Sequence, residues 1–380
     1  MSHHASTVRA VPGPPVTIEM LRARNIAHER ARDEADLLSA VQFLVDGGVT
    51  LDEIEEHGIQ RMASARLVRE RPWYGTDAAA ALLGVGIDPE FSERLRLAMG
   101  LGIGTGLGLT PSELEATRFF AGLRNIIGEE DTLSMVRVIG SASSRIARAT
   151  TAVLRVNFSA PLDDSPAPLA DAVHAYTELI NSALPPMLDS VAALIQRHLA
   201  TFIAGGGQEL RVDDSRSAAL QRLVVGFADL VGFTAFTEGA DAASFMATML
   251  RFEAQVQEII VSNGGTVVKM IGDEVMFVTQ HSDQALAIAH GLTQVCRDIA
   301  GISGMRVGLS RGDVINAGGD YYGTVVNIAA RIVGQAFPDA IVSTQAVVDA
   351  LPGTATIRPL GAYELRGISQ PVELYRIDAS

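Results

Sequence analysis

Lysine is almost missing from this sequence. Of its thirty basic residues, Lys269 is the single lysine and the rest are arginine. Cysteine is equally scarce, with Cys296 alone, so no disulfide can form within the chain and a reducing, cytoplasmic setting is expected. Basic charge is outweighed: 30 Lys and Arg face 44 Asp and Glu, for a formal net charge of −14. Nucleic-acid binders neutralise phosphates with a basic face, so that class is disfavoured. An acidic chain can still hold a phosphorylated ligand if metal ions bring positive charge locally. Long apolar runs are also missing. A membrane helix needs about 18 uninterrupted apolar residues, and the nearest stretch, Leu95 to Leu109, is broken by five glycines and a threonine. It reads as core, or as the lining of a small apolar pocket, with core the better fit. Met1 to Pro15 offers no apolar signal-peptide core, and residues 1–34 are expected to form a flexible tail.

What is present suits a two-domain globular protein. The chain has 380 residues, 48% hydrophobic and 19% charged, enough for two sizeable cores. A GC-rich genome would explain the arginines but not the one exception at Lys269. Arginine and lysine differ in shape and hydration, so a specific need for an ammonium and plain chance stand level on composition alone.

Residues 35–204 read as helical. Thr50-Leu-Asp-Glu53 is a capping box, and Thr110-Pro-Ser-Glu113 is a stronger one with proline at the first helical position. Pro185-Pro186 is expected to separate two helices, the second carrying Leu188, Val191, Leu194, Ile195, Leu199 and Phe202 near helical spacing. Residues 205–220, opening on a run of three glycines, read as a linker. From 221 to 380 the texture changes. A strand from Arg222 to Asp229, a helix from Ser244 to Ser262, strands at Gly265–Met270 and Glu274–Thr279, a helix from Asp283 to Ile299 and a strand at Met305–Leu309 follow in turn. This β-α-β-β-α-β order predicts an α+β, ferredoxin-like domain. A helix at Val325–Gln335 and strands near Ile341 and Val372 are expected after it.

Several residues could carry chemistry. Asp229 ends the first strand and Asp273 sits in the turn of the strand pair, so the two carboxylates could meet at one edge of the sheet. Paired hard oxygen ligands suit Mg2+ or Mn2+, and two such ions can activate a hydroxyl and stabilise a leaving phosphate. Taken singly, each aspartate reads as an ordinary turn residue. Leu230 to Thr234, including Gly232 and Phe233, leads from the first aspartate into a helix and could offer backbone N–H groups to a triphosphate. By itself it reads as a plain strand-to-helix turn. Asn327 and Arg331 lie four apart and share a helix face, where an arginine can meet charge developing on a phosphoryl group. Their spacing alone is common. Lys269 and Asp320 form a candidate base-reading pair: an ammonium donates to adenine N1, a carboxylate accepts from the N6 amine, and guanine would need the reverse. Separately they read as a solvated strand lysine and a turn aspartate.

In order, the stretches Phe227-Ala-Asp-Leu-Val-Gly-Phe-Thr234, Val268-Lys-Met-Ile-Gly-Asp-Glu274, Met305-Arg-Val-Gly-Leu309, Asp320-Tyr-Tyr-Gly-Thr-Val-Val-Asn-Ile-Ala-Ala-Arg331 and Leu365-Arg-Gly-Ile368 resemble the class III nucleotidyl cyclases. The resemblance covers about Arg222 to Arg376. It implies that Asp229 and Asp273 are metal ligands, with Leu230 beside them, and that Lys269 and Asp320 select adenine. It implies further that Asn327 orients the ribose, that Arg331 stabilises the transition state, and that Arg306 contacts the triphosphate. The implied activity is adenylyl cyclase: the ribose 3'-hydroxyl of ATP attacks the α-phosphorus in line, cyclic AMP forms and pyrophosphate leaves. Two divalent ions per site and a homodimer with two composite sites are implied with it.

Residues 35–204 more loosely resemble the helical regulatory domain of mycobacterial pH-responsive class III cyclases. His57, His174 and His198 lie there, and histidine is the side chain most easily switched near neutral pH. Each by itself reads as a solvated helix histidine. Three alternatives stay open. A diguanylate cyclase is echoed by Gly272-Asp-Glu-Val, although Ile271 stands where that family's second glycine belongs. A guanylyl cyclase is disfavoured by Lys269 and Asp320. A catalytically silent nucleotide-binding or dimerisation module would usually lack a metal aspartate or the asparagine-arginine pair.

Overall fold

Side-chain caps set the helix starts of the first half. In the computed structural model, which describes residues 13–60, 62–63, 87–101, 110–154, 167–205, 220–295, 302–353 and 355–378, Thr17 opens α1 (Ile18–Ala23) and Asp33 opens α2 (Glu34–Asp46). Thr50 and Glu53 close the expected capping box on α3 (Leu51–His57). Asp88 opens α4 (Pro89–Ala98), and Thr110 and Glu113 form the second box on α5 (Pro111–Ile127). Each cap satisfies backbone N–H groups that lack a helical partner. Two long helices follow, α6 (Glu129–Leu154) and α7 (Leu169–Gly205). Cys296, residues 102–109 of the glycine-rich stretch and residues 206–219 of the expected linker lie outside the described residues. The chain divides into two compact units, Met1–Thr201 and Phe202–Ser380.

The described residues of the first unit form two cores. Leu21, Val41 and Leu44 pack with Leu169, Val173, Tyr176 and Ile180. Phe91, Leu95, Phe120, Leu133 and Val136 form the other. Asp36 on α2 ties the start of α7 down, accepting from the backbone N–H groups of Leu169 and Ala170, each at 2.9 Å across more than 130 residues of sequence.

Two expectations are corrected here. The tail predicted through residue 34 ends earlier: α1 is helical, and Val16, Leu21 and Ile26 are buried in the first core. Three apolar residues at such wide spacing bury well but leave no periodic signal. Pro185 and Pro186 do not separate two helices, for α7 runs through both. Their missing N–H groups cost a local pair of backbone bonds, and helical sequence on both sides carries the turn through. Beyond the prolines the expected apolar stripe is helical but faces outward: Leu188, Leu194, Ile195, Leu199 and Phe202 are each more than half exposed.

The second unit is built on one sheet. Its elements are β1 (Leu220–Val231), α8 (Phe233–Gly239), α9 (Ala242–Ser262), β2 (Thr266–Ile271), β3 (Glu274–Thr279), α10 (Ser282–Val295) and β4 (Gly304–Ala317). There follow β5 (Asp320–Tyr322), α11 (Thr324–Val333), β6 (Ile341–Thr344), α12 (Gln345–Val348), β7 (Thr356–Tyr363) and β8 (Val372–Asp378). The strand order is β2-β3-β1-β4-β6-β8-β7, with β5 paired to β4. The first four strands are in the ferredoxin-like order, as the α+β reading expected. β4 is longer than its apolar run suggested, because it continues past Leu309 to pair with the start of β1 and then with β5. β7 was not expected: it is an edge strand, mostly exposed, and broken by a register shift between Pro359 and Gly361.

Both faces of the sheet are covered. On one, Phe252, Val256 and Ile260 of α9 and Ile288 and Leu292 of α10 pack on Val224, Phe277, Val307 and Leu309. On the other, Ala329 and Val333 of α11 pack on Phe227, Met276 and Val314. Gly308 lets α11 come this close: a Cβ there would lie 2.7 Å from Val333 N and 2.8 Å from Ala329 O. Among the described residues, no helix is long and apolar enough to cross a membrane.

Candidate active site

Alternation along β1 decides which way Asp229 faces. Phe227, two residues earlier, packs beneath α11, and side chains two apart share a face. Across the ladder Asp229 lies opposite Glu274 on β3 and opposite Arg306 on β4. Three charged side chains therefore form a row at one end of the sheet. Arg306 Nη2 donates to Asp229 Oδ2 at 2.5 Å, with both side chains mostly buried.

Asp273 stands in the turn between β2 and β3, after Gly272, whose φ of 64° is one that glycine adopts without steric cost. Burial pushes the Asp273 carboxyl above the usual carboxylate range, and the nearby charge of Asp229 pushes it the same way. Glu274 is raised too, chiefly by burial and then by Asp229 and Asp273, with Lys269 acting against the rise. Sequence reasoning missed Glu274. The only signal for it was its position beside Asp273, which matters once β3 is laid against β1.

These residues fit a divalent cation. The donors are hard carboxylate oxygens, the kind Mg2+ and Mn2+ select, and a cation would offset both the burial and the neighbouring Asp229 charge that raise Asp273. The Leu230 side chain is buried in the core and carries no donor atom, so any ligand from this residue is its backbone carbonyl.

Lys269 reaches its place through a bulge. Thr266 and Val267 pair with Val278 and Phe277, but Lys269 pairs with Met276, so the register shifts by one residue at Val268. A β-bulge re-aims the side chains that follow it. Here Val268 packs into the layer beneath α11, and Lys269 extends over the same side of the sheet to donate to Asp320. Asp320 is delivered by the β4–β5 hairpin, whose two turn residues, Gly318 and Gly319, have φ of 62° and 75°. Positive φ at both central positions is what a tight two-residue hairpin requires. Asp320 also accepts from the backbone N–H of Tyr321 at 2.8 Å.

The remaining candidates lie on α11 and at the start of α8. Asn327 and Arg331 share the exposed side of α11. Neither side chain has a hydrogen bond or ion pair among the described residues. Gly232 adopts φ 92° at the start of α8, and the Phe233 ring packs against Phe236 and Phe245 with centroids 6.5 and 6.0 Å away. That leaves the backbone of 232–234 as the part available to a phosphate; the side chain of Thr234 lies outside the described set.

In the first unit, His57 lies 3.7 Å from Glu56, and His174 lies 3.6 Å from Glu178 and stacks near Phe43.

The chain is similar to several known proteins. Residues 216–379 match the family described as the adenylate and guanylate cyclase catalytic domain. An uncharacterized protein of Mycobacterium tuberculosis is 28% identical over 375 residues, spanning 94% of this chain and 93% of its own length. An adenylate cyclase of Streptomyces coelicolor is 28% identical over 245 residues, 64% of this chain and 62% of that one. A pH-sensitive adenylate cyclase of Mycobacterium tuberculosis is 25% identical over 358 residues, 90% and 88% of the two chains. Among solved structures, the adenylyl cyclase CyaB from P. aeruginosa is matched over 42% of this chain and 96% of its own, at 24% identity and a TM-score of 0.37. Residues 216–379 thus belong to the adenylate and guanylate cyclase catalytic domain family, and the second half of this chain carries a class III cyclase domain.

Proposed function

We propose that this protein is an adenylyl cyclase that acts as a homodimer, converting ATP to cyclic AMP and pyrophosphate. The observation that carries the reading is the sorting of its side chains. Within one chain the carboxylates of Asp229 and Asp273 crowd together, and Lys269 meets Asp320, while Asn327 and Arg331 point outward from α11. Groups that face outward from one copy can complete a site on another. In this reading Asn327 and Arg331 of one protomer address Asp229 and Asp273 of the partner subunit.

Each residue then has a task. Lys269 donates to adenine N1 and Asp320 accepts from the N6 amine. Asn327 holds the ribose so that its 3'-hydroxyl points at the α-phosphorus. Arg331 meets the charge that grows on the phosphoryl oxygens. Arg306 and the backbone of 232–234 hold the triphosphate. Asp229 and Asp273, with the Leu230 carbonyl, would hold two Mg2+ or Mn2+ ions, which supply Lewis acidity and lower the pKa of the attacking hydroxyl. The helical first unit, α1 included, forms a regulatory domain that ends with α7 at Gly205 and is joined through a linker at 206–219 to the catalytic domain, which opens with β1 at Leu220. It is the seat of any pH response, and the setting is cytoplasmic.

The test is to incubate the purified full-length protein with ATP or GTP and Mn2+ or Mg2+ and to separate the products chromatographically. Cyclic AMP from ATP is expected. Cyclic GMP or a dinucleotide from GTP as the main product would overturn the base assignment. No cyclic product under any of these conditions would overturn the enzyme reading in favour of a silent module.

A further inference from the structure

Asp229 is placed where a cation should bind, yet one of its oxygens is already taken. Arg306 Nη2 lies 2.5 Å from Asp229 Oδ2. The pairing is fixed by the ladder, because Asp229 and Arg306 are direct partners of β1 and β4. A divalent ion coordinated to that oxygen would stand beside the guanidinium, and two positive centres so close repel strongly when water is scarce. The site is poor in water, since the two side chains are only 24% and 29% exposed. Arg306 is also under-satisfied as it stands: its Nε–H is buried and has no acceptor among the described residues. A phosphate can meet two guanidinium N–H groups at once, and a single carboxylate oxygen here meets one.

From this geometry we infer that Arg306 is a positioning residue that competes with the divalent cation for Asp229 and leaves it when a triphosphate arrives, so that metal loading is coupled to nucleotide binding. The inference rests on the proposed function only in taking Asp229 as a metal ligand and a triphosphate as the ligand. Nucleotide draws Arg306 away by offering a better acceptor. Asp229 is then free to bind the ion that accompanies the phosphates. By linkage each ligand raises the affinity for the other.

The experiment measures Mn2+ binding rather than turnover. Full-length protein is stripped with chelator and dialysed, then titrated with Mn2+ while the free-ion signal is followed by electron paramagnetic resonance. The titration is run with and without 2',3'-dideoxy-ATP, which lacks the 3'-hydroxyl needed for cyclisation. Arg306→Ala should bind Mn2+ about tenfold more tightly than the wild type without nucleotide, comparable to the effect of one adjacent charge on a carboxylate's proton affinity. With saturating analogue the advantage should vanish. Adding Asp229→Asn to Arg306→Ala should abolish the gain. Unchanged or weaker Mn2+ binding by Arg306→Ala would overturn the inference. So would an equal gain with and without analogue, which is the mark of a simple charge effect. Arg306→Gln, closer in size, is read the same way should the alanine variant fail to fold. A wild type that shows this coupling but makes no cyclic product would sink the proposed function and leave the inference standing.

Discussion

The two units of this chain hold their charged groups in opposite ways. In the second, charges are set by strand register: Glu274, Asp229 and Arg306 occupy facing positions on three neighbouring strands, and all are partly buried. In the first, charges sit on helix surfaces. Arg22 and Glu34 pair at 2.5 Å with side chains 68% and 60% exposed, a setting in which an ion pair contributes little. Apolar residues differ as well. Those of the second unit largely enter cores on both faces of a sheet, whereas the stripe from Leu188 to Phe202 on α7 is left outward. Chemistry that depends on register should be brittle, and a surface that depends on helix propensity should be forgiving. The first unit nonetheless has one brittle point of its own, the Asp36 tie to α7.

The largest effect should come from breaking the carboxylate pair. Asp273→Ala is expected to lower cyclic AMP formation by at least about a hundredfold, the scale on which a single charge-stabilising group contributes. Its melting temperature should be close to wild type. Arg331→Ala should be similarly inactive. If the site is composite, mixing the two dead proteins restores activity, to roughly a quarter of wild type when protomers exchange at random. No recovery on mixing, despite demonstrated exchange, would count against a shared site.

Lys269→Ala should leave the fold intact and cut the preference for ATP over GTP by about ten- to a hundredfold, as removal of a base-edge contact commonly does. The ratio of kcat/KM for the two nucleotides reads this directly.

Gly308→Val tests whether α11 is held by close backbone contact. The added side chain must push Val333 and Ala329 away, at a stability cost of about 1–3 kcal/mol for overpacking. Turnover should fall because Asn327 and Arg331 ride on α11, while the ATP-to-GTP preference, set on other elements, stays. A variant with unchanged kcat would show that the helix position is not critical.

The smallest effects should sharpen the contrast inside the first unit. Asp36→Asn loses a charged acceptor from three backbone N–H groups, those of Ala170, Arg32 and Leu169, and should cost about 1 kcal/mol, as cap removal does. Arg22→Ala should leave stability indistinguishable from wild type. Denaturant melts of the two variants separate these cases. The acid limb of stability carries a second signature. Burial acts to raise the Asp36 carboxyl, but the three N–H groups outweigh it and hold the folded pKa below its ordinary value. A depressed acid stabilises the fold above its unfolded pKa, and that contribution is lost as pH falls through the lower, folded pKa. Asp36→Asn should therefore flatten the loss of stability in the acid range below the usual carboxylate value.

Much of the second unit was legible in the sequence because its motifs fall at element ends. Asp229 lies two residues from the end of a strand, Asp273 occupies a turn and Asp320 follows two glycines, so residue type and position carried the same message. Glu274 and the Arg306–Asp229 pair were not legible, since each depends on which residue faces which across a ladder. β7 was hidden because an exposed edge strand lacks the apolar alternation that marks a buried one. Pro185-Pro186 misled for a related reason: the penalty of a proline is local, and the helix around it spans 37 residues. Val16, Leu21 and Ile26 were too sparse to announce a buried segment.

The bulge at Val268 has a consequence for how such a chain can diverge. Lys269 sits opposite Met276 and would keep that place if Val268 were lost, whereas loss of one residue between Lys269 and the turn would set it opposite Val275, on the side of the sheet under α9 and α10 and out of reach of Asp320. Neither Lys269 nor Asp320 would itself have changed. Strand length, usually regarded as neutral scaffolding, is here a parity switch on one side of Lys269 and slack on the other, and the relatives in which to look for altered base choice are those differing by a single insertion or deletion between Lys269 and Gly272.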